Sequence, residues 1–439
     1  MAAVHPEILY LGPFDPSRSA VADYSRTFRD TVGQFKGLTI TPVLASAVPE
    51  RLEEGEEAVR QVQRMTAAAL KQCGSVASQV LHVELGRTTL REFWAGYHAA
   101  RLRPDCPMCL VFHDPPDFPP PLQPADSVKS RNFLVSWITG ITRGLSLDAQ
   151  ERMASALLSQ ASVLLALSRR GCELLAQRFP AWRHKIACLP PLPLGWIPDK
   201  IEPNVRKATD ALQLTLFGFL RPGKGIEQAL QALLILNRRF PLAGRLRLRI
   251  RGRMTPGVLA SGYRERIAQQ IEAASLTRVA DFNPGALTEE RVNHLLTATD
   301  VLLLPYQRGA CEGASMSLLR AEAWCVAPIA SDTGSLRELI EHERDGLLFP
   351  VGDTVAFAES LLRLMKDGDL RQRISKARRE RALHERSGAQ ICSLLLPLYR
   401  EMLRARDEKR WVRFPRPMIA AGIAEGEQEA LETGEKDNV

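Results

Sequence analysis

The sequence predicts an α/β protein built as two doubly wound, Rossmann-like halves, and three observations lead there. Short runs rich in Val, Ile and Leu alternate with longer segments of helical periodicity from residue 7 to about residue 400. A proline-rich stretch, Leu189-Pro-Pro-Leu-Pro-Leu-Gly-Trp-Ile-Pro198, interrupts the alternation near the middle. The alternation then resumes. Parallel strands joined by helical crossovers are the arrangement such a pattern specifies.

In the first half, Glu7-Ile-Leu-Tyr-Leu11 reads as a strand and meets the turn Gly12-Pro-Phe-Asp-Pro16. The segment from Ser17 leads into a helical pattern through Thr31. Leu38–Leu44 is a second strand, 50–72 a charged helix, Gln79–Glu84 a third strand and Met108–His113 a fourth. The fourth strand ends at Asp114-Pro-Pro, before a proline-rich loop at 115–124. Helical patterns fill 127–160, Ser162–Leu167 is a strand, and Arg170–Arg178 a helix.

The second half opens with a strand at Leu212–Gly218, a helix at 225–239, a strand at Arg245–Arg251 and a helix at 258–274. Strands at 278–282 and 301–305 flank a helix at 288–297. A helix at 315–324, a strand at 326–330 and a helix at 354–366 follow, with further helices over 369–405. Arg245, Arg247 and Arg249 alternate with Leu246, Leu248 and Ile250, which predicts one polar face, as at a sheet edge. The expected plan is a first domain over 1–190, a proline-rich linker over 191–206 and a second domain over 207–400. A basic segment at 401–416 crosses back to the first domain, and 417–439 is an acidic, disordered tail.

At 439 residues, with 45% hydrophobic and 25% charged side chains, the composition is that of a globular protein. No apolar run approaches the roughly 20 residues that span a bilayer. The N-terminus lacks a basic n-region and a long apolar stretch, so no secretory signal is expected. The eight scattered cysteines fit reduced thiols in a cytoplasmic setting, and Cys106-Pro-Met-Cys109 has no second pair at metal-ligand spacing. The net charge of +8 is uneven: +2 over 1–205, +11 over 206–416 and −5 over 417–439. A basic half attracts nucleoside diphosphates or an anionic membrane face. No zinc-finger spacing, RNP-like strand or basic heptad is present, so nucleic acid is not an expected partner. Asn132–Thr139, with Arg131 and Arg143 nearby, reads either as a peripheral contact at the inner membrane face or as a core helix of the first domain.

The chemistry concentrates in two passages. Asp300-Val-Leu-Leu-Leu-Pro-Tyr306 reads as a strand, followed by the small-residue turn Glu312-Gly-Ala-Ser315 and the helix start Met316-Ser-Leu-Leu-Arg320. Strand, tight turn and helix present backbone N–H groups to a phosphate. Leu216-Phe-Gly-Phe-Leu-Arg-Pro-Gly-Lys-Gly225 repeats the theme with Lys224 in a glycine-containing loop. No Ser or Thr follows that lysine, so the loop is not a Walker A loop.

Taken in order, these passages resemble family 4 of the retaining, GT-B glycosyltransferases (glycosyl transferases group 1). Gly218 to Lys224-Gly225 is similar to the family's donor-diphosphate loop, Asp281–Leu287 to its base-binding turn, and Glu312-Gly-Ala-Ser315 to its donor-sugar loop. Ser331-Asp-Thr-Gly-Ser335, Glu338, Asp345-Gly-Leu-Leu-Phe-Pro350 and Gly352-Asp353 are similar to its C-terminal signature. The likeness is thinner in the first half, at Ser19, Ala20, Asp23 and Tyr24 of an acceptor-side loop and at His113.

The resemblance implies two Rossmann-like domains facing each other across a cleft, and transfer of a sugar from a nucleotide-diphosphate sugar to a glycan or lipid-linked acceptor. Lys224 then neutralises the leaving diphosphate, beside Gly218, Gly225 and Arg221; the family's usual arginine position is Phe219. Glu312 contacts donor-sugar hydroxyls and the oxocarbenium-like centre, and the backbone of Gly313, Ala314, Ser315 and Met316 faces the phosphates. His113 approaches the reacting sugar, with a buried or capping histidine as the alternative. No cofactor or metal is implied. Ala20, Trp324 and Cys325 also depart from the family's small residues, but the departure that matters is Arg320, which stands where the family has the second glutamate of an E-x7-E motif, which holds the nucleotide ribose. A guanidinium only donates hydrogen bonds. Arg320 therefore holds an anion, or it is a helix-surface arginine in a catalytically silent partner or scaffold of an active transferase.

Overall fold

The computed structural model describes residues 4–13, 20–43, 56–74, 76–87, 89–119, 147–195, 211–254, 258–259 and 261–418. They divide into two compact units. Ser19, the 132–139 segment, most of the 191–206 linker and nearly all of the 417–439 tail lie outside the described residues.

The first unit is a six-stranded parallel sheet: β1 (Glu7–Leu11), β2 (Thr39–Pro42), β3 (Gln79–Leu85), β4 (Met108–Phe112), β5 (Val163–Ala166) and β6 (Ile186–Cys188), in the order β2-β1-β3-β4-β5-β6. Every residue of β3 is buried, as expected of a central strand covered on both faces. The helix Leu90–Leu102 covers one face, where Gly96 lies so close to β3 that a Cβ would stand 3.1 Å from Val83. Sequence periodicity passed over this helix and over the short β6. Of the helical pattern at 127–160, the described part is the helix Leu147–Gln160. The chain returns to this unit at Gly388, ahead of the boundary at residue 400 read from the sequence. The helix Gly388–Asp407 places Tyr399 against His82 of β3, and beyond it Trp411 packs on the His184 ring, with centroids 4.3 Å apart.

The second unit is also parallel and six-stranded: β7 (Leu212–Phe217), β8 (Leu246–Gly252), β9 (Ala280–Pro284), β10 (Val301–Leu304), β11 (Ala327–Ser331) and β12 (Leu347–Phe349), ordered β12-β11-β10-β7-β8-β9. Strand β7 is followed in space by β8 and β9 on one side and by β10 on the other. The carboxyl ends of β7 and β10 therefore lie at the switch point of this sheet, the place where open α/β sheets take up ligands. The arginines of β8 do alternate with buried residues, but the edge strand is β9. Arg247 and Arg251 both reach across to Asp281 of β9, at 3.1 and 2.6 Å. Burial alone would raise the Asp281 carboxyl, yet the two guanidinium contacts hold it below its ordinary value.

A buried ion network ties the helix Gly368–Arg386 to this sheet. Arg378, fully buried, pairs with Glu322 and, at 3.0 Å, with Asp345. Arg386 also meets Glu322 at 2.7 Å, and Arg381 meets Asp345 at 2.9 Å. Desolvation opposes ionisation of Glu322, but Arg378 and Arg386 outweigh it and keep the carboxyl below its ordinary value. Removing one member strands the others in low dielectric. Glu322→Ala is therefore expected to cost about 3–5 kcal/mol in denaturant unfolding. The exposed pair of Arg337 with Asp332 gives a contrast: Asp332→Ala should cost less than about 1 kcal/mol. Because the folded value of Glu322 is depressed, its stabilisation is present above the unfolded carboxyl value and lost as pH falls through the folded one. Unfolding midpoints measured across that range should show this loss in the wild type and not in Glu322→Ala.

Candidate functional site

The crevice of the second unit is shaped first by glycine. Strand β7 is followed by Gly218, whose φ of +118° turns the chain, and Gly225 caps the helix Ile226–Arg239 with φ +77°. A Cβ on Gly225 would lie 1.8 Å from the carbonyl oxygen of Pro305, immediately after β10. The loops after β7 and β10 can therefore touch only because position 225 has no side chain. The contact is reinforced by Gln307 N–H donating to the Gly223 carbonyl at 2.9 Å.

This approach places Lys224. Its Nζ donates to Tyr306 Oη at 2.8 Å and lies 4.1 Å from the ring centroid, and Tyr306 Oη is 3.3 Å from Ser315 Oγ. Ser315 caps the helix Met316–Ala321, its Oγ accepting from Leu318 N–H, and Ser317 Oγ donates to the Phe217 carbonyl at the end of β7. Lys224, Tyr306 and Ser315 thus form one line across three chain segments. Arg221 donates to the Ala310 carbonyl at 3.2 Å, which fastens it beside the same loop. Behind the turn, Gly334 comes so close that a Cβ would stand 1.9 Å from the Cys311 carbonyl oxygen. Gly313 is buried, whereas Glu312, Ala314 and Met316 are half-buried. The helix that follows is shorter than its pattern suggested: six residues, then a tighter turn over Glu322–Trp324, with Cys325 at φ +50°.

Arg320 is not on a helix surface, in contrast to one of the two expectations for it. It is buried, with its Nη2 3.4 Å from Glu289 Oε1, and its guanidinium packs against Gly195, where a Cβ would lie 2.8 Å from Cζ. Glu322, two residues on, faces the Arg378 network instead, as the helical offset requires. Next to β8 and β9 lies a cavity of about 490 Å³, lined among others by Arg249, Arg251, Asn283, Gly285, Arg291 and His294.

In the first unit His113 follows β4 and is buried, its backbone N–H donating to the Leu85 carbonyl at 2.7 Å. Its Nε2 lies 2.6 Å from Glu84 Oε2, and the edge of its ring meets Tyr24 at 4.8 Å between centroids. Burial would raise the Glu84 carboxyl, but His113 and His82 hold it at about 2. Asp23 is on the helix Ala20–Val32, 2.6 Å from Arg26. Sequence reasoning missed Tyr306, Glu84 and Glu289. For Glu84 a signal was present: His82 and Glu84 alternate on one face of an otherwise apolar, central strand. Cys106 and Cys109 are both buried, with the Cys106 thiol donating to the Gln79 carbonyl. Among the described residues no group of three or more His, Cys, Asp or Glu is placed to hold a metal ion, and no helix is long and apolar enough to cross a membrane.

Comparison with known proteins gives a family match over the second unit and a fold. Residues 199–381 match the family Glycosyl transferases group 1. The second unit carries a glycosyl transferases group 1 domain. N-acetyl-alpha-D-glucosaminyl L-malate synthase of Bacillus anthracis is 31% identical over 121 residues, 28% of this chain and 30% of that protein. Amylovoran biosynthesis glycosyltransferase AmsK of Erwinia amylovora is 28% identical over 229 residues, 51% of this chain and 52% of that protein. The chain thus spans about half or less of the curated relatives it matches. The structure of Anabaena HepE in complex with UDP and glucose aligns at a TM-score of 0.60 and 14% identity, over 90% of this chain and 99% of that one. That likeness shows the two-domain α/β fold termed GT-B.

Glycine at 225 is what lets the loops after β7 and β10 meet in this chain. Gly225→Ala should destabilise the protein by about 1–3 kcal/mol or more, since strain and collision add. Gly244→Ala also has a positive φ, +79°, but nothing lies within 4 Å of its Cβ position. It should cost only the strain, and thermal unfolding of the two variants reads the difference.

Proposed function

We propose that the protein is a retaining glycosyltransferase that moves a hexose-like sugar from a nucleoside-diphosphate sugar to a glycan or lipid-linked acceptor. The observation that carries the reading is the line of Lys224, Tyr306 and Ser315 at the switch point of the second sheet. When a glycosyl–phosphate bond breaks, negative charge accumulates on the leaving diphosphate. Lys224, held by Tyr306 but half-exposed, supplies a compact cation there, with Arg221 fixed alongside. Backbone groups of Gly313–Met316 approach the phosphates, and Glu312 accepts hydrogen bonds from donor-sugar hydroxyls and stabilises the cationic sugar centre. The neighbouring cationic cavity receives the nucleoside. Lysine, arginine and amide dipoles serve the diphosphate in this mechanism, so it draws on no metal. For His113, in the first unit, we propose a contact with the reacting sugar, and for Asp23 and Tyr24 a place on the acceptor side. The UDP and glucose bound by HepE and the amylovoran biosynthesis named for AmsK support the substrate classes. A cytoplasmic site of action, with a peripheral contact at the inner membrane face, fits a lipid-linked acceptor.

Arg320 favours one second reading, a catalytically silent partner of an active transferase. A buried guanidinium paired with Glu289 cannot accept ribose hydroxyls. A radiolabelled panel of UDP-, GDP- and ADP-sugars, followed by product analysis, separates the two. The transferase reading expects turnover of one donor, retention of its anomeric configuration, and a fall in kcat of about 10²–10³-fold for Lys224→Ala. Turnover that appears only in Arg320→Glu would establish the silent reading instead.

A further inference from the structure

Glu84 stands one residue before the end of β3 and is fully buried. Its Oε1 accepts the Tyr10 hydroxyl hydrogen at 2.9 Å and faces His82 Nε2 at 2.9 Å, while Oε2 faces His113 Nε2 at 2.6 Å. An ionised carboxylate only accepts, so both ring nitrogens that face it carry hydrogen. The second nitrogen of His82 lies 2.8 Å from Tyr399 Oη and takes a hydrogen bond from that hydroxyl. The second nitrogen of His113 differs: Nδ1 is buried and has no hydrogen-bond partner among the described residues. The tautomers are assigned from the network, each donor being matched to an acceptor.

We infer that Glu84 is the positioning residue of His113: it fixes the Nε2–H tautomer and leaves Nδ1 as a bare acceptor for a ligand hydroxyl at the carboxyl ends of β3 and β4. The inference rests on the transferase reading for the ligand, which is polyhydroxylated, but not for the tautomer. The network reaches further than a pair. Tyr399 belongs to the helix Gly388–Asp407 and bonds His82 of the third strand, so that helix acts through His82 and Glu84 on the histidine that follows the fourth strand. Tyr10, from β1, holds the same carboxylate oxygen as His82, Oε1, and leaves Oε2 to His113. Tyr10 directly and Tyr399 through His82 thereby restrain Glu84, and it restrains His113.

Glu84→Gln tests the assignment with little change of shape. An amide has one accepting oxygen and one donating nitrogen. The oxygen should stay with Tyr10 and His82, where two donors meet it, so the amide N–H₂ turns to His113. His113 must then surrender its Nε2 hydrogen and carry it on Nδ1. Ring ¹⁵N NMR of histidine-labelled full-length protein, assigned with His113→Ala, should show a bare Nδ1 in the neutral wild-type ring. It should show the reversed tautomer in Glu84→Gln, and no change in Tyr10→Phe. Where a donor is turned over, Glu84→Gln should lower kcat about tenfold or more with little effect on donor KM. His113→Ala should add nothing in that background. A wild-type His113 protonated on Nδ1, an unchanged tautomer in folded Glu84→Gln, or additive losses in the double variant would overturn the inference. Should Glu84→Gln not fold, the wild-type spectrum alone decides. Should no sugar donor be turned over, the transferase reading fails while the tautomer result stands.

Discussion

The second unit depends on one close approach, that of Gly225 to the carbonyl of Pro305. A parallel sheet leaves its loops separate at their carboxyl ends, and only at the switch point do two successive loops diverge to leave space between them. Here the loop after β7 is drawn against the loop after β10 with no room for a methyl group. From that contact follow the position of Lys224, its hydrogen bond to Tyr306, and the further step to Ser315 at the cap of the next helix. The turn at 311–315 is buttressed in the same manner by Gly334. Two backbone collisions, avoided by two glycines, organise a polar line on an apolar scaffold.

Arg320 is the residue around which the chemistry must be argued. Burial of a guanidinium is costly unless it is paired, and Glu289 together with the packing of Gly195 accounts for its placement. The neighbouring Arg378, Glu322, Arg386, Asp345 and Arg381 network shows that this unit repeatedly buries arginine against carboxylate. Arg320 extends that habit toward the start of the helix Glu289–Thr297. A carboxylate at 320 would face Glu289 with like charge, so the two positions belong together electrostatically.

Most of the strands were legible because both sheets are parallel and buried, which turns each strand into a continuous apolar run bounded by turns. Leu212–Phe217 and Val301–Leu304 are plain in the sequence for that reason. Glu7–Leu11 was equally clear. The helix Leu90–Leu102 was not, because Gly96 and His98, both buried, interrupt its apolar stripe. Strand β12 and the turn of helix at Leu336–Leu339 are too short for periodicity to register. Lys224, Glu312 and the small turn at 313–315 were legible as local motifs. Tyr306, Glu84 and Glu289 were not, since each acquires its partner from a distant segment: 82 residues separate Lys224 from Tyr306, and 29 separate Glu84 from His113. Local sequence specifies a loop that can hold a phosphate. Only the fold specifies what orients its lysine.

On the proposed function, the switch point of the second unit holds a nucleoside diphosphate. Calorimetric titration of the full-length protein with UDP, GDP and ADP tests it most directly, since none of the three requires an acceptor or turnover. Saturable binding of one of them at micromolar affinity, about −8 kcal/mol, is expected, with a marked loss in Lys224→Ala. Absence of binding by all three, or binding that Lys224→Ala leaves intact, would contradict it.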